Sequence, residues 1–239
     1  MKIALIGYGK MGKMIEKIAT QRGHDIGLVI DIDNQSDLNA ENLKNIDVAI
    51  EFTIPENAYN NIMECFGAHI PVVSGTTGWL EKFYEVTEFC EKNNQTFFYA
   101  ANFSLGVNIF FKLNQYLAKI MNNFKEYNID IEEIHHTEKL DSPSGTAIRL
   151  ANDILSFIER KEKWEENTSD KKKNINIDAK RIENVTGTHI INYDSKIDKI
   201  TITHEAKNRE GFALGAVLAA EFIANKKGVY SMNDLLNLE

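Results

Sequence analysis

The chain has 239 residues, 43% of them hydrophobic and 26% charged, which is enough apolar material for one large or two modest soluble domains. A formal net charge of −8 argues against general attraction to nucleic acid or to an anionic membrane, so any anionic ligand must be held by local positive groups. No apolar run reaches the roughly 18 residues of a membrane span, and no cationic start with a cleavable apolar stretch is seen, so the expected location is the cytoplasm.

In chain order, apolar runs at Ile3–Ile6, Ile26–Ile30, Val48–Phe52, Ile70–Val73 and Thr96–Tyr99 predict buried strands. Helical patterns at Met11–Gln21, Pro55–Phe66 and Leu80–Lys92 separate most of them, and Pro55 suits a first helical turn. This alternation predicts an α/β domain, a Rossmann-like, doubly wound parallel sheet over residues 1–103. Cys65 and Cys90 lie inside the helical patterns without a CxxC spacing and are expected as core thiols.

After Phe103 the pattern changes. A helix is predicted over Val107–Met121, a strand over Ile129–Ile134, a polar loop over His135–Gly145 and a helix over Thr146–Glu159. The mixed charges of Glu159–Lys173 predict a solvated helix end and mobile loop. Lys180–Val185, His189–Tyr193 and Lys199–His204 alternate apolar and polar residues, which predicts antiparallel strands with one open face. An alanine-rich helix, Phe212–Ala224, is expected to return to the first domain. The expected organisation is a dinucleotide-binding domain at 1–103, completed by 209–239, with an inserted α+β domain at 104–208.

Gly7-Tyr8-Gly9-Lys10-Met11-Gly12 is a G-x-G-x-x-G run that follows a strand and opens a helix, the context in which glycines let backbone N–H groups meet a pyrophosphate. Asp31 lies nineteen residues after Gly12, where an acid accepts hydrogen bonds from an adenosine ribose. Asp33 is near, and no arginine follows Asp31 to hold a 2′-phosphate, so NADH is favoured over NADPH, with Lys10 or Lys13 a partial offset. Gly75-Thr76-Thr77-Gly78 and Ala100-Ala101-Asn102-Phe103 follow the fourth and fifth strands, so three loops meet at the sheet edge where open α/β sheets bind ligands.

The chemistry-bearing stretch is His135-His136-Thr137-Glu138-Lys139-Leu140-Asp141-Ser142-Pro143-Ser144-Gly145-Thr146. Gly145 and Thr146 offer free N–H groups at a helix start, a ready carboxylate site. Lys139 can act as counter-charge or proton donor, and a histidine titrates in the range general acid catalysis needs. The paired imidazoles lack HExxH spacing and have no cysteine nearby, so no metal site is expected. His189 and His204 read as structural strand residues, and Arg209 as a surface residue.

The HHxxK and D-x-P-S-G-T run, the glycine fingerprint, the Gly-Thr-Thr loop, Ala-Asn-Phe-Ser with Gly106-Val107-Asn108, and Ile202-Thr203-His204 resemble the 4-hydroxy-tetrahydrodipicolinate (dihydrodipicolinate) reductase family in order and over nearly the whole chain. The resemblance implies a cytoplasmic homotetramer of the diaminopimelate and lysine pathway that reduces a cyclic dicarboxylate with NADH or NADPH. It further implies that His135 is the proton donor and Lys139 a second donor. By the same resemblance His136, Ser144, Gly145 and Thr146 contact substrate, and Gly7–Gly12, Asp31, Gly75–Thr77 and Ala100–Phe103 contact cofactor. A hinge between the domains would then close the hydride gap. Two departures stand out: Ser142 where alanine is usual, and Arg181-Ile182-Glu183 without the glycine that tends to follow that arginine. Another amino-acid-pathway dehydrogenase, such as one acting on aspartate, predicts the fingerprint but not the histidine loop. A non-catalytic NAD(P)H sensor predicts damage at His135 or Lys139, and both are present.

Overall fold

A computed structural model of the protein describes residues 1–238. The first stretch alternates β1 (Lys2–Ile6), α1 (Lys10–Gln21), β2 (Asp25–Ile30), α2 (Ala40–Leu43), β3 (Val48–Glu51), α3 (Pro55–Gly67), β4 (Val72–Ser74), α4 (Phe83–Lys92) and β5 (Thr96–Tyr99). Next come α5 (Leu105–Met121), β6 (Asn128–His135), α6 (Gly145–Leu155), β7 (Lys163–Glu166), β8 (Asn174–Arg181), β9 (Thr188–Asp194) and β10 (Lys199–Glu205). The chain ends through α7 (Glu210–Ile223), β11 (Gly228–Tyr230) and α8 (Met232–Leu236). Two compact units result, one of residues 1–108 with 210–239 and the other of residues 109–209.

The first unit is a six-stranded sheet in the order β11-β5-β4-β3-β1-β2, parallel throughout. Period-two alternation sends Ile3 and Leu5 to one face, packed with Ile15 of α1 and Ala216 of α7, and Ala4 and Ile6 to the other, packed with Ile62 and Phe66 of α3. Burial on both faces explains why these strands read as continuous apolar runs. The two thiols are buried and unbridged, as expected, and burial pushes Cys90 up to about 11. The short strand β11, which extends the sheet beside β5, and the helix α8 give no strong sequence pattern and were not anticipated.

The second unit is a five-stranded mixed sheet, β10-β9-β6-β8-β7. Two expectations fail here. The strand expected at Lys180–Val185 is instead β8, ending at Arg181, and it runs parallel to both β6 and β7 rather than antiparallel. The helix-bearing crossover through α6 brings β7 back in the direction of β6, and β8 lies between the two and parallel to both. The segment 159–173 is not a solvated helix end and loop, because α6 stops at Leu155 and Lys163–Glu166 forms the edge strand β7. Its charges face outward while its backbone pairs with β8. Buried Lys161 ties the segment down, its Nζ donating to Asn128 Oδ1 at 3.0 Å and to the Asn174 carbonyl at 3.2 Å.

Candidate active site

In the first unit the chain reverses its direction across the sheet at β1, which lies between β2 and β3. An open parallel sheet leaves its ligand crevice at the carboxyl edge of such a point. Gly7 follows β1 there with φ +94°, and a Cβ on it would lie 2.1 Å from the Phe52 carbonyl oxygen. A Cβ on Gly12 would lie 2.2 Å from the Gly7 carbonyl oxygen, so the third glycine lets α1 close on the turn. Gly9 caps α1 with no side-chain hydrogen bond, and a Cβ built on it meets nothing within 4 Å. The first helical N–H groups therefore border open space, and these residues fit a dinucleotide pyrophosphate. Tyr8 is hydrogen-bonded to Glu16, with the Lys13 ammonium 5.7 Å from its ring centre. Lys10 is exposed and Met11 half-buried. Asp31 is exposed just past β2, at the start of a 3-10 turn, its N–H donating to Asn34 Oδ1 at 2.7 Å.

The loops after β3 and β4 are held by a buried acid that no sequence motif marks. Glu51 is fully buried and accepts from Ser74 Oγ at 2.7 Å, Thr76 Oγ1 at 2.8 Å and the Thr53 N–H at 3.1 Å. A Cβ on Gly75 would strike the Phe52 ring at 2.2 Å, so only glycine fits between ring and loop. Thr77 is exposed at the rim. After β5, Ala100 is buried, Ala101 is exposed, and Asn102 Oδ1 accepts from the Ser104 N–H at 2.9 Å. Phe103 is buried against Phe52 and Phe98, with ring centres 5.4 and 5.8 Å away.

In the second unit, the inward row of β6 reads Ile129, Ile131, Glu133, His135. A fully buried carboxylate thus ends an apolar stripe beside a buried imidazole. Strand register completes the cluster: His189 on β9 stands opposite Glu133, and Arg181 on β8 opposite His135. Glu133 accepts from the Ser144 N–H at 3.0 and 3.2 Å and from Arg181 at 3.4 Å. Its Oε2 lies 3.6 Å from His135 Nδ1 and 3.7 Å from His189 Nε2. Burial pushes His135 below its usual range; Glu133 pulls against that shift, and Lys139 and Arg181 add to it. Burial, then the neighbouring His135, lowers His189 to about 3. Glu133, His135 and His189 are close enough together to surround a metal ion. The carboxylate is already engaged by a guanidinium and an amide, so the set reads as a charge network.

The loop after β6 brings the remaining residues to this cluster. Ser144 caps α6, its Oγ accepting from the Ala147 N–H at 3.2 Å and lying 3.3 Å from His189 Nε2. Gly145 opens the helix, and a Cβ built on it meets nothing within 4 Å. Thr146 and His136 are half-buried nearby in the chain. Lys139 pairs with Asp141 at 2.7 Å and holds that carboxyl below its usual range. The unusual Ser142 donates to Glu166 of β7 at 2.8 Å, so the loop is fastened to the edge strand.

Comparison with known proteins decides the lineage. The family model described as the N-terminus of dihydrodipicolinate reductase matches residues 1–103, and its C-terminal counterpart matches residues 106–236. The chain belongs to the dihydrodipicolinate reductase family. It is 53% identical over 238 residues to the 4-hydroxy-tetrahydrodipicolinate reductase of Christiangramia forsetii, covering 99% of this chain and 98% of that one. The Staphylococcus aureus protein of the same name is 34% identical over 246 residues, covering 98% and 100%. A dipicolinate-bound dihydrodipicolinate reductase from Paenisporosarcina sp. TG-14 shares the fold, with a TM-score of 0.79, 23% identity, and coverage of 98% and 99%. The doubly wound domain with a second, mixed sheet is therefore the family's fold.

The sequence does not point to Glu51 in the first unit, nor to Glu133, Arg181 and His189 in the second. Glu133 and Glu51 each continue a buried row or run, and an acid at such a position is the signal that would have found them. The sequence marks His189 only as a structural strand residue, because no local pattern tells that it faces Glu133.

Proposed function

We propose that the protein is an NAD(P)H-dependent 4-hydroxy-tetrahydrodipicolinate reductase, which forms tetrahydrodipicolinate in the diaminopimelate and lysine pathway. The observation that carries this reading is the convergence of buried His135, Lys139 and the open start of α6 on one loop of an otherwise acidic protein. A small dicarboxylate needs such local donors and counter-charge.

Gly7 to Gly12 hold the pyrophosphate, Asp31 the adenosine ribose, and Gly75–Thr77 with Ala100–Phe103 the nicotinamide end. The reduced nicotinamide, when bound, supplies a hydride. Gly145 and Thr146 N–H groups, with the Ser144 cap and His136, hold one substrate carboxylate. Lys139 leaves Asp141 to face the other. His135 delivers the proton that the reduced, electron-rich system takes up, and Lys139 is the second donor. With an exposed acid at Asp31 and no arginine after it, NADH is preferred over NADPH.

The protein works in the cytoplasm as a homotetramer assembled through the second unit. Ile109, Leu113, Tyr116 and Ile120 form an exposed apolar stripe along α5, and β10 is a sheet edge. The deciding experiment follows oxidation of NADH, then NADPH, with substrate generated in place by the synthase that joins pyruvate and aspartate semialdehyde. Synthase-dependent loss of reduced nicotinamide is expected, faster with NADH. A protein that binds NADH but oxidises neither cofactor would overturn the reading and favour a sensor.

A further inference from the structure

We infer that Glu133 is a positioning residue, whose buried carboxylate holds the proton donor His135 and the substrate-binding start of α6 in one frame. The inference rests on the reductase reading above and adds a residue to it.

Three features single Glu133 out. It is fully buried, at the second-last position of the inward row of β6. One of its oxygens meets the Arg181 guanidinium at 3.4 Å, and the carboxylate accepts the Ser144 N–H at 3.0 Å, immediately before the residues proposed to hold a carboxylate. The other oxygen lies 3.6 Å from His135 Nδ1, a buried nitrogen without a hydrogen-bond partner. Loss of the group would strand Arg181 and the Ser144 amide as well as the imidazole.

The charges around His135 explain why an anion is needed there. Lys139 and Asp141 face it from the loop, Arg181 from β8 and His189 from β9, with His204 of β10 acting on His189. Burial and two cations all disfavour the imidazolium, whereas Glu133 and Asp141 favour it. Asp141 is exposed and occupied by Lys139, so Glu133 is the main group that opposes the downward shift and favours the imidazolium. Its place beside Nδ1 leaves Nε2, which borders Gly187, as the nitrogen that donates.

The test is the pH profile of kcat/KM for the full-length wild type, Glu133→Gln and Glu133→Asp, with the synthase in excess and NADH binding as the folding control. Activity requires protonated His135 and falls as pH rises through its titration. Glu133→Gln should move that falling limb to lower pH by roughly one unit or more, with at least about a tenfold loss above it. Glu133→Asp, which keeps the charge, should restore much of the limb. A loss by one factor at every pH, with the limb unmoved, would overturn the inference and leave the reductase reading intact. If the glutamine variant does not fold, 15N-histidine spectra of the wild type decide. A neutral His135 carrying its proton on Nδ1 is expected, and one carrying it on Nε2 overturns the role. The reductase reading itself fails only if the wild type lacks activity, so the two failures are distinct.

Discussion

Among the described residues, each unit buries one glutamate in the carboxyl half of a strand, and the two are set in opposite company. Glu51 is surrounded by the hydroxyls of Ser74 and Thr76 and by a backbone amide. Glu133 meets a guanidinium, an amide and two imidazoles. Neutral donors around a buried carboxylate make a rigid joint between loops, and none of them titrates in the working range. Titratable partners make the other carboxylate part of a proton-handling device. In the proposed reaction this contrast would divide the labour, the first unit fixing geometry for the cofactor and the second controlling a proton.

The largest effects should come from removing the proton donors. His135→Gln and Lys139→Ala are each expected to lower turnover about 10²–10⁴-fold, with NADH affinity by fluorescence titration unchanged. If NADH binding fell in step with turnover, the division between units would be broken.

A smaller effect is expected at the neutral joint. Glu51→Gln places an amide donor among donors, which costs about 1–3 kcal/mol of stability and loosens the Gly75–Thr77 loop. Thermal melts should show the loss, and KM for NADH should rise. The falling limb of the pH profile should stay in place, unlike that of Glu133→Gln. A moved limb would mean that the two glutamates are not functionally distinct.

The same contrast explains what could be read in the sequence. The glycine fingerprint, the threonine loop and the start of α6 are local geometries, determined within a few residues, and their chain positions are legible in advance. The Glu133 cluster is not local. Arg181 and His189 reach it through the β6–β8 and β6–β9 registers, which no short window encodes. Edge strand β7 was hidden for another reason: its side chains Lys163, Glu165 and Glu166 are those of a solvated loop, and its pairing lies in the backbone. Glu51 and Glu133 carry no local signature beyond an acid that continues a buried strand row, and their partners come from other strands and loops.

His189 gives a prediction on stability. A free imidazole titrates near 6.5, and in the fold this one is held at about 3. Between those values the unfolded chain binds a proton that the folded chain does not, so stability falls as the solution is acidified below about pH 6.5. The melting temperature should drop between about pH 7 and about pH 5, and His189→Gln should make that drop shallower. An equal drop in the variant would remove His189 from the titrating set.

The smallest effect belongs to Asp31, and it bears only on the first unit. Its carboxylate is exposed, and it shares a capping box with Asn34 at the start of the 3-10 turn, its own N–H donating to Asn34 Oδ1 at 2.7 Å. Asp31→Ala removes an acceptor for the ribose hydroxyls of NADH and a repulsion toward the 2′-phosphate of NADPH. Hydrogen bonding at a solvated site is weak, so the change in the ratio of kcat/KM for the two cofactors should be only about three- to tenfold, toward NADPH. Because Asp31 takes no part in proton delivery, the pH profile with either cofactor should keep its wild-type shape. An unchanged cofactor ratio would show that discrimination lies elsewhere, with Lys10 and Lys13 at the start of α1 the next residues to test.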